Sequence, residues 1–423
     1  MHAPQPPEDT PMNIRLVSCL ALFLACQAAP VLAAGCTVPL KIVNIGTDDK
    51  PEYKLGINVG LGGGAPRLYE FDTGGPGFWA AYDEKSDPQW WGAARVLSRG
   101  DMQTVYTSGN AYLANLVRTR VSLYDPASTS PKSPLCGTGS QQVQVSQITS
   151  YTNTLKPGLQ KKWDDAMKNG TAPLSGAFWG DFGAALRPGL NTAGTAGVYS
   201  VLPQIASQTM SYHRGFIIHV GRPDGSSRPA VKIGLSYNDV MSFTSLVRMN
   251  PKCPPQKRKQ PNYCLPGWHK WSTVPVTAFS EQQFEARVAV GHGDDRQVFD
   301  EIGVTLDTGA PNATLWQLGN VVLDTSFLKN PTLIPGTNPP SYSGDLKDGA
   351  TVTVQSLAAN TVRPRWLPFE AMLTQQAPQK ISASAHTDGG GDPAYINTGF
   401  WFYTQWDVMF DLDGGTVGFR PAQ

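Results

Sequence analysis

Apolar and polar positions alternate from Tyr53 to Gly60, with Leu55, Ile57 and Val59 on one side, which predicts a strand. Leu61 to Pro66, with three consecutive glycines, reads as a turn, and Arg67 to Phe71 as a second strand running into Asp72. Gln103 to Tyr106 and Tyr112 to Val121 form a hairpin pattern about Ser108, Gly109 and Asn110. Residues 126–190 are irregular, apart from a helical spacing at Leu159–Lys168. A second helix is expected at Pro203–Met210, and strands at Phe216–Val220, Ala230–Leu235, Val274–Val276 and Phe284–Val290. Val304 to Leu306 leads into Asp307, and Trp401–Phe419 reads as two strands about an Asp-Gly-Gly turn. The expected class is all-β. Gly60, Gly62 and Ala65 mimic a dinucleotide fingerprint, but a strand containing Pro66 follows where that motif needs a helix.

Composition agrees with many turns: 43 Gly and 35 Pro in 423 residues, with 40% apolar and 16% charged positions. The length fits about two domains. A net charge of +1 leaves no basic footprint for nucleic acid, so Lys257-Arg258-Lys259 is a charged loop and Arg118 and Arg120 a solvated strand face. His292, among Gly291, Gly293, Asp294 and Asp295, reads as a turn and not as a metal ligand.

The first 33 residues are expected to be a signal peptide: Met12 to Arg15 as start and positive end, Leu16 to Ala25 as the apolar run, Val31-Leu32-Ala33 as the cleavage site, and residues 1–11 as an over-called start. That run is too short to span a membrane, and no later stretch qualifies. Secretion or periplasmic export follows. Ala33-Ala34-Gly35-Cys36 also faintly resembles a lipid-attachment box at Cys36. Outside the leader four cysteines remain, an even number suited to two disulfides. Cys253 and Cys264 bracket one loop and form the local pair, and Cys36 and Cys136 then pair by elimination.

Chemistry is concentrated in two strings, Phe71-Asp72-Thr73-Gly74-Gly75 and Leu306-Asp307-Thr308-Gly309-Ala310. Each is entered from an apolar run and followed by a tryptophan, Trp79 or Trp316, and the two aspartates are 235 positions apart, about one domain length. This spacing suits an internal duplication that brings two carboxylates together on a pseudo-two-fold axis. Two such carboxylates in a partly buried site share one proton. The ionised one then acts as general base toward water, and the protonated one as general acid toward a carbonyl oxygen. Thr73 and Thr308 are small hydroxylated residues able to hydrogen-bond across the axis, and Gly74 and Gly309 allow tight turns whose N–H groups face the carboxylates.

With these residues the chain resembles the pepsin-like, two-lobed aspartic peptidases over nearly its whole length, as a divergent, bacterial-type member. Tyr53 to Trp79 is similar to the family's opening, and Val105-Tyr106-Thr107-Ser108-Gly109 to its flap. The resemblance implies that Tyr106 overhangs the cleft, with Thr107 beside it, and that Tyr106 hydrogen-bonds Trp79. Ala196-Gly197-Val198-Tyr199 resembles the crossing behind the first aspartate. Asn397-Thr398-Gly399-Phe400 resembles the second crossing, and Val408–Asp411 with Val417–Phe419 the C-terminal hairpin. The pattern departs where the family has Ser or Thr after Asp-Thr-Gly: here Gly75 and Ala310 follow. Gly75 removes a hydrogen bond to the ionised carboxylate, so Asp72 is expected to titrate higher.

The expectation is an exported aspartic endopeptidase with Asp72 and Asp307 as catalytic pair, cleaving between apolar residues of a peptide or protein substrate. An N-terminal lobe spans residues 34–240 and a C-terminal lobe 241–423. The resemblance implies no metal and no organic cofactor, and a monomer without a nucleic-acid partner is expected. The alternative is a catalytically weak or inactive protein of this fold that binds peptides or inhibits a partner, or a surface scaffold that only holds a peptide.

Overall fold

The structure is a computed structural model that describes residues 35–83, 90–194, 196–209, 211–250, 279–362, 367–385 and 393–422. The leader, the Cys253–Cys264 pair, the Lys257–Lys259 loop and the strand expected at Val274–Val276 lie outside these residues.

Three large sheets carry the fold. The first has the order β6 (Ala94–Val105), β7 (Asn110–Thr119), β10 (Val143–Asn153), β5 (Phe78–Ala81), β11 (Gly180–Gly183), β4 (Arg67–Asp72), β3 (Tyr53–Leu61), β8 (Val121–Tyr124), β9 (Cys136–Gly137), with β2 (Lys41–Asn44) also on β3. The second has the order β20 (Leu328–Ile334), β21 (Ser341–Leu346), β24 (Ile381–Ala385), β19 (Ala313–Gln317), β25 (Tyr395–Asn397), β18 (Asp295–Thr305), β17 (Phe284–His292), β22 (Thr351–Ser356), β23 (Glu370–Thr374). The third joins β1 (Cys36–Pro39), β15 (Ala230–Leu235), β14 (His213–His219), β26 (Trp406–Asp411), β27 (Thr416–Pro421) and β16 (Ser245–Arg248). A small pair, β12 (Gly189–Leu190) with β13 (Ala196–Val198), completes the strands among the described residues.

The first two sheets correspond strand for strand. In each, a hairpin (β3–β4 or β17–β18) runs into an Asp-Thr-Gly turn, and a strand bearing the following tryptophan (β5 or β19) leaves it. A third strand, β11 or β25, then threads between the two, parallel to the entering strand and antiparallel to the leaving one. This repetition is the duplication that the spacing of the two motifs implies.

Burial follows the sequence period. Along β22, Val352 and Val354 turn inward while Thr351, Thr353 and Gln355 remain partly exposed, the alternation of a one-faced strand. β3 is buried along both faces because neighbours cover it from each side: Gly56 packs under Leu68 and Phe178, so even a methyl there would meet Leu68 at 2.8 Å. The irregular stretch before β11 contributes α1 (Gly158–Lys168), whose Leu159, Trp163 and Met167 recur on one helical face. Trp163 stacks on Tyr151 (4.7 Å between centroids) and lies against Tyr112 (6.0 Å), so this helix braces the antiparallel pair β7 and β10. The expected helix at Pro203–Met210 starts and ends earlier, as α2 (Val201–Ala206).

Cys36 and Cys136 form a disulfide that ties β1 to β9, with Cα atoms 6.3 Å apart. The sulfur of Cys36 is therefore committed, which removes the lipid-attachment reading of that residue: a lipid thioether and a cystine cannot share one sulfur. The bridge closes a loop of 100 positions. Cys36→Ser with Cys136→Ser is therefore expected to lose about 2–5 kcal/mol of stability. Urea unfolding of the variant against the oxidised parent checks this, and coincident midpoints would refute it.

Candidate active site

Asp72 ends β4, and Asp307 follows β18 by two residues. The two turns are clamped together by their threonines. Thr73 N–H donates to Thr308 Oγ1 (3.0 Å), and Thr308 N–H donates to Thr73 Oγ1 (2.9 Å). Each hydroxyl then donates to the backbone carbonyl just before the other lobe's aspartate, Thr73 to Leu306 and Thr308 to Phe71, both at 2.7 Å. Thr73 is 2% exposed and Thr308 fully buried, so these bonds form out of water, where losing one costs most. Tyr403, on α4 (Gly399–Tyr403; α3, Tyr237–Met241, precedes it), adds its hydroxyl to Thr73 Oγ1 at 3.1 Å.

The glycines are there for space. A Cβ on Gly309 would lie 2.3 Å from Cγ of Asp72, and one on Gly74 2.6 Å from Cγ of Asp307, so each turn passes directly against the carboxylate of the other lobe. Gly74 N–H donates to Asp72 Oδ1 and Gly309 N–H to Asp307 Oδ1, both at 2.7 Å. Asp307 accepts two more bonds, from Ala310 N–H (3.2 Å) and from Asn397 Nδ2 (2.6 Å). The carboxyl of Asp72 titrates well above the usual carboxylate range. Burial is the first cause, followed by the negative charges of Asp307, Asp181 and Glu70 and by a hydrogen bond with Asp307.

Tyr106 stands at the end of β6, where Gly109 takes a left-handed conformation (φ 83°) to close the turn, and Thr107 is exposed at its tip. The phenol does not reach Trp79 as the family resemblance implies. It donates to Oδ2 of Asp181 in a short hydrogen bond. The indole N–H of Trp79 is satisfied within its own turn by the carbonyl of Pro76 (2.8 Å). Both results have one cause. Asp181 lies on β11 directly opposite Trp79, and its carboxylate is a stronger acceptor than anything an indole, which can only donate, offers the phenol. The Tyr106 ring also packs edge-on against Tyr112 (5.6 Å), which in turn lies on Trp79 (6.2 Å).

The crossing strand behind Asp72 is likewise a correction. It is β11, Gly180-Asp181-Phe182-Gly183, with Gly183 level with Asp72. Ala196–Val198 instead pairs with Gly189–Leu190. The second crossing is β25, ending at Asn397. The signal that distinguishes the true crossing is shared by both lobes: polar residue, one intervening residue, then glycine, as in Asp181-Phe182-Gly183 and Asn397-Thr398-Gly399. Sequence reasoning passed over Asp181, Tyr403 and the donor role of Asn397. It also missed Lys54, whose ammonium pairs with Glu70 on the neighbouring strand beneath the site.

No family model matches the chain, and no curated protein matches it in sequence. Its structure is similar to the crystal structure of an aspartic proteinase from Irpex lacteus, with a TM-score of 0.50 and 12% sequence identity, over 92% of this chain and 98% of that one. The architecture is thus the all-β, two-lobed fold of the pepsin-like aspartic proteinases, reached here at 12% sequence identity to that neighbour.

Proposed function

We propose that this protein is an exported aspartic endopeptidase. The observation that carries this reading is the reciprocal clamp of Thr73 and Thr308, which holds one carboxylate from each lobe against the turn of the other. Two acids so placed keep one proton between them, the condition for concerted acid and base catalysis. The ionised carboxylate takes a proton from a water held between the pair. The water oxygen attacks the scissile carbonyl while the protonated carboxyl gives its proton to the carbonyl oxygen. The resulting diol collapses as the nitrogen is protonated, and the peptide bond breaks. Tyr106 lies over the substrate, an extended strand bound by backbone pairing and by apolar pockets beside the scissile bond. Thr73, Gly74, Thr308 and Gly309 hold the pair, and Trp79 supports the hairpin from below.

Export is supported by the apolar segment 16–25 with its small-residue cleavage site and by the Cys36–Cys136 bridge, a bond that persists in oxidising compartments. Among the described residues no helix is long and apolar enough to cross a membrane.

The test is digestion of a mixed peptide library by the purified protein between about pH 3 and 8, with and without pepstatin, a transition-state mimic for this chemistry. Cuts between apolar residues that pepstatin suppresses are expected. A folded sample that binds peptides without cutting them would overturn the reading in favour of a binding or inhibitory protein. Gly75 and the altered Tyr106 contact are the features that would then need explaining.

A further inference from the structure

The strand-for-strand equivalence of the two lobes extends to single side chains. On β11, Asp181 pairs with Glu70 and with Trp79, which lie two residues before and seven after Asp72. On β25, Asn397 pairs with Thr305 and with Thr314, two before and seven after Asp307. Asp181 and Asn397 therefore occupy the same position, each against the aspartate of its own lobe, and they are chemically opposite.

Asn397 presents an amide N–H to Oδ2 of Asp307. With Gly309 and Ala310 this gives Asp307 three N–H donors, an arrangement that suits a carboxylate. Asp72 has one N–H donor among the described residues, Gly74. In place of an amide it faces another acid. A Cβ on Gly75 would lie 2.5 Å from Oδ2 of Asp181 and 2.7 Å from Oδ2 of Asp72, so both oxygens converge on the space that the missing side chain leaves. Gly75 thus makes room for a third carboxyl group. Asp181 is 4% exposed, its Oδ2 is held by Tyr106, and its Oδ1 has no hydrogen-bond partner among the described residues. The remaining titratable groups facing it are Glu70 and Lys54, already paired with each other, Tyr112 from the hairpin side, and Asp307 across the axis.

We propose that Asp181 and Asn397 are paired positioning residues that break the symmetry of the catalytic pair, so that Asp72 keeps the shared proton as general acid and Asp307 carries the charge as general base. The raised titration of Asp72 runs in the same direction. Asp181 itself is raised, by burial first and then by the charge of Glu70, against which the Tyr106 hydrogen bond works. Burial and neighbouring charge thus hold both Asp181 and Asp72 toward the protonated form. In the same arrangement Asp181 fixes Tyr106 over the protonated side of the pair.

This inference rests on the peptidase reading for its kinetic consequences but not for its direct test. Carbon-13 spectra of protein labelled at the aspartate carboxyls, with the two resonances assigned by their loss in Asp72→Asn and Asp307→Asn, give the order of ionisation without turnover. Asp307 is expected to change in the first step and Asp72 in the second. The reverse order would overturn the proposal. Asp181→Asn keeps an acceptor for Tyr106 but removes a charge. It is expected to move the alkaline limb of the kcat/KM profile to lower pH, with a fall on the order of tenfold on that limb. Asn397→Leu removes a donor from Asp307 and moves the acid limb to higher pH. Limbs that stay in place while melting temperatures drop would show both residues to be merely structural. If the parent protein cuts no peptide and the order of ionisation is as expected, the peptidase reading fails and this assignment stands. If it cuts and the order is reversed, the assignment alone fails.

Discussion

Asp72→Asn and Asp307→Asn are each expected to lose on the order of 10⁴ in kcat/KM while melting within a few degrees of the parent protein. The size comes from the chemistry removed. Asparagine at 307 cannot take a proton from water, and asparagine at 72 has no carboxyl proton to give. The small effect on stability comes from what is kept. An amide oxygen still accepts from Gly309 or Gly74, and the threonine clamp does not pass through either carboxylate. At position 72 the change also relieves a crowd of acids: burial and the charges of Asp307, Asp181 and Glu70 all oppose ionisation there. That variant is expected to be as stable as its parent or slightly more so, as when an active-site strain is released. Steady-state kinetics beside thermal unfolding reads both effects. Retained activity in either variant would sink the mechanism, and a collapse of folding would show that the turns need the carboxylates.

The second large effect lies in the shared sheet. Asp407→Ala is expected to cost about 3 kcal/mol, because it removes a buried carboxylate and leaves the two half-buried cationic side chains that it serves without their partner. Asp407 is 1% exposed and accepts from Nδ1 of His219 (2.7 Å) and from Nε of Arg420 (2.9 Å), linking β14, β26 and β27. The loss should depend on pH. The imidazole of His219 titrates above its ordinary value, chiefly because of its hydrogen bond to Asp407, with burial and Arg420 opposing. A raised histidine stabilises fully below its unfolded value of about 6.5, and that contribution fades as pH rises through the higher folded value. The difference between parent and variant should therefore be largest in mild acid and shrink toward alkaline pH, where only the Arg420 contact remains. Unfolding midpoints across that range test it, and a pH-independent difference would remove His219 from the account.

The strands and the two Asp-Thr-Gly turns were legible because local pattern and final environment agree there. Leu55, Ile57, Val59, Val231, Ile233, Val408, Phe410, Val417 and Phe419, the apolar positions that predict these strands, are all buried in them. An apolar run ending in Asp-Thr-Gly has few uses other than a buried turn. The crossing strand was not legible for the converse reason. Gly180-Asp181-Phe182-Gly183 carries almost no strand propensity of its own and is extended because β4 and β5 hold it from both sides. Ala196–Val198 is the more apolar stretch, yet among the described residues it pairs with a two-residue strand. The Tyr106 contact failed through inheritance: the expected tryptophan is in place, but a carboxylate that the family pattern does not foresee stands nearer. Gly75 was read as a lost hydrogen bond. Only the structure shows it as space taken by Asp181.

The order in which the elements leave the ribosome has a consequence for the site. Residues 36–183 supply every strand of the first sheet, including the one that ends at Asp72. Yet the hydroxyl that meets Thr73, the amide that meets Asp307 and the central strand of the shared sheet all come from residues 395–411. At about 5–20 residues per second, the interval between Asp72 and these partners is tens of seconds. Throughout that time a nascent chain has a carboxylate but no working pair. On the peptidase reading, a pair assembled this late leaves the unfinished chain without the means to cut itself.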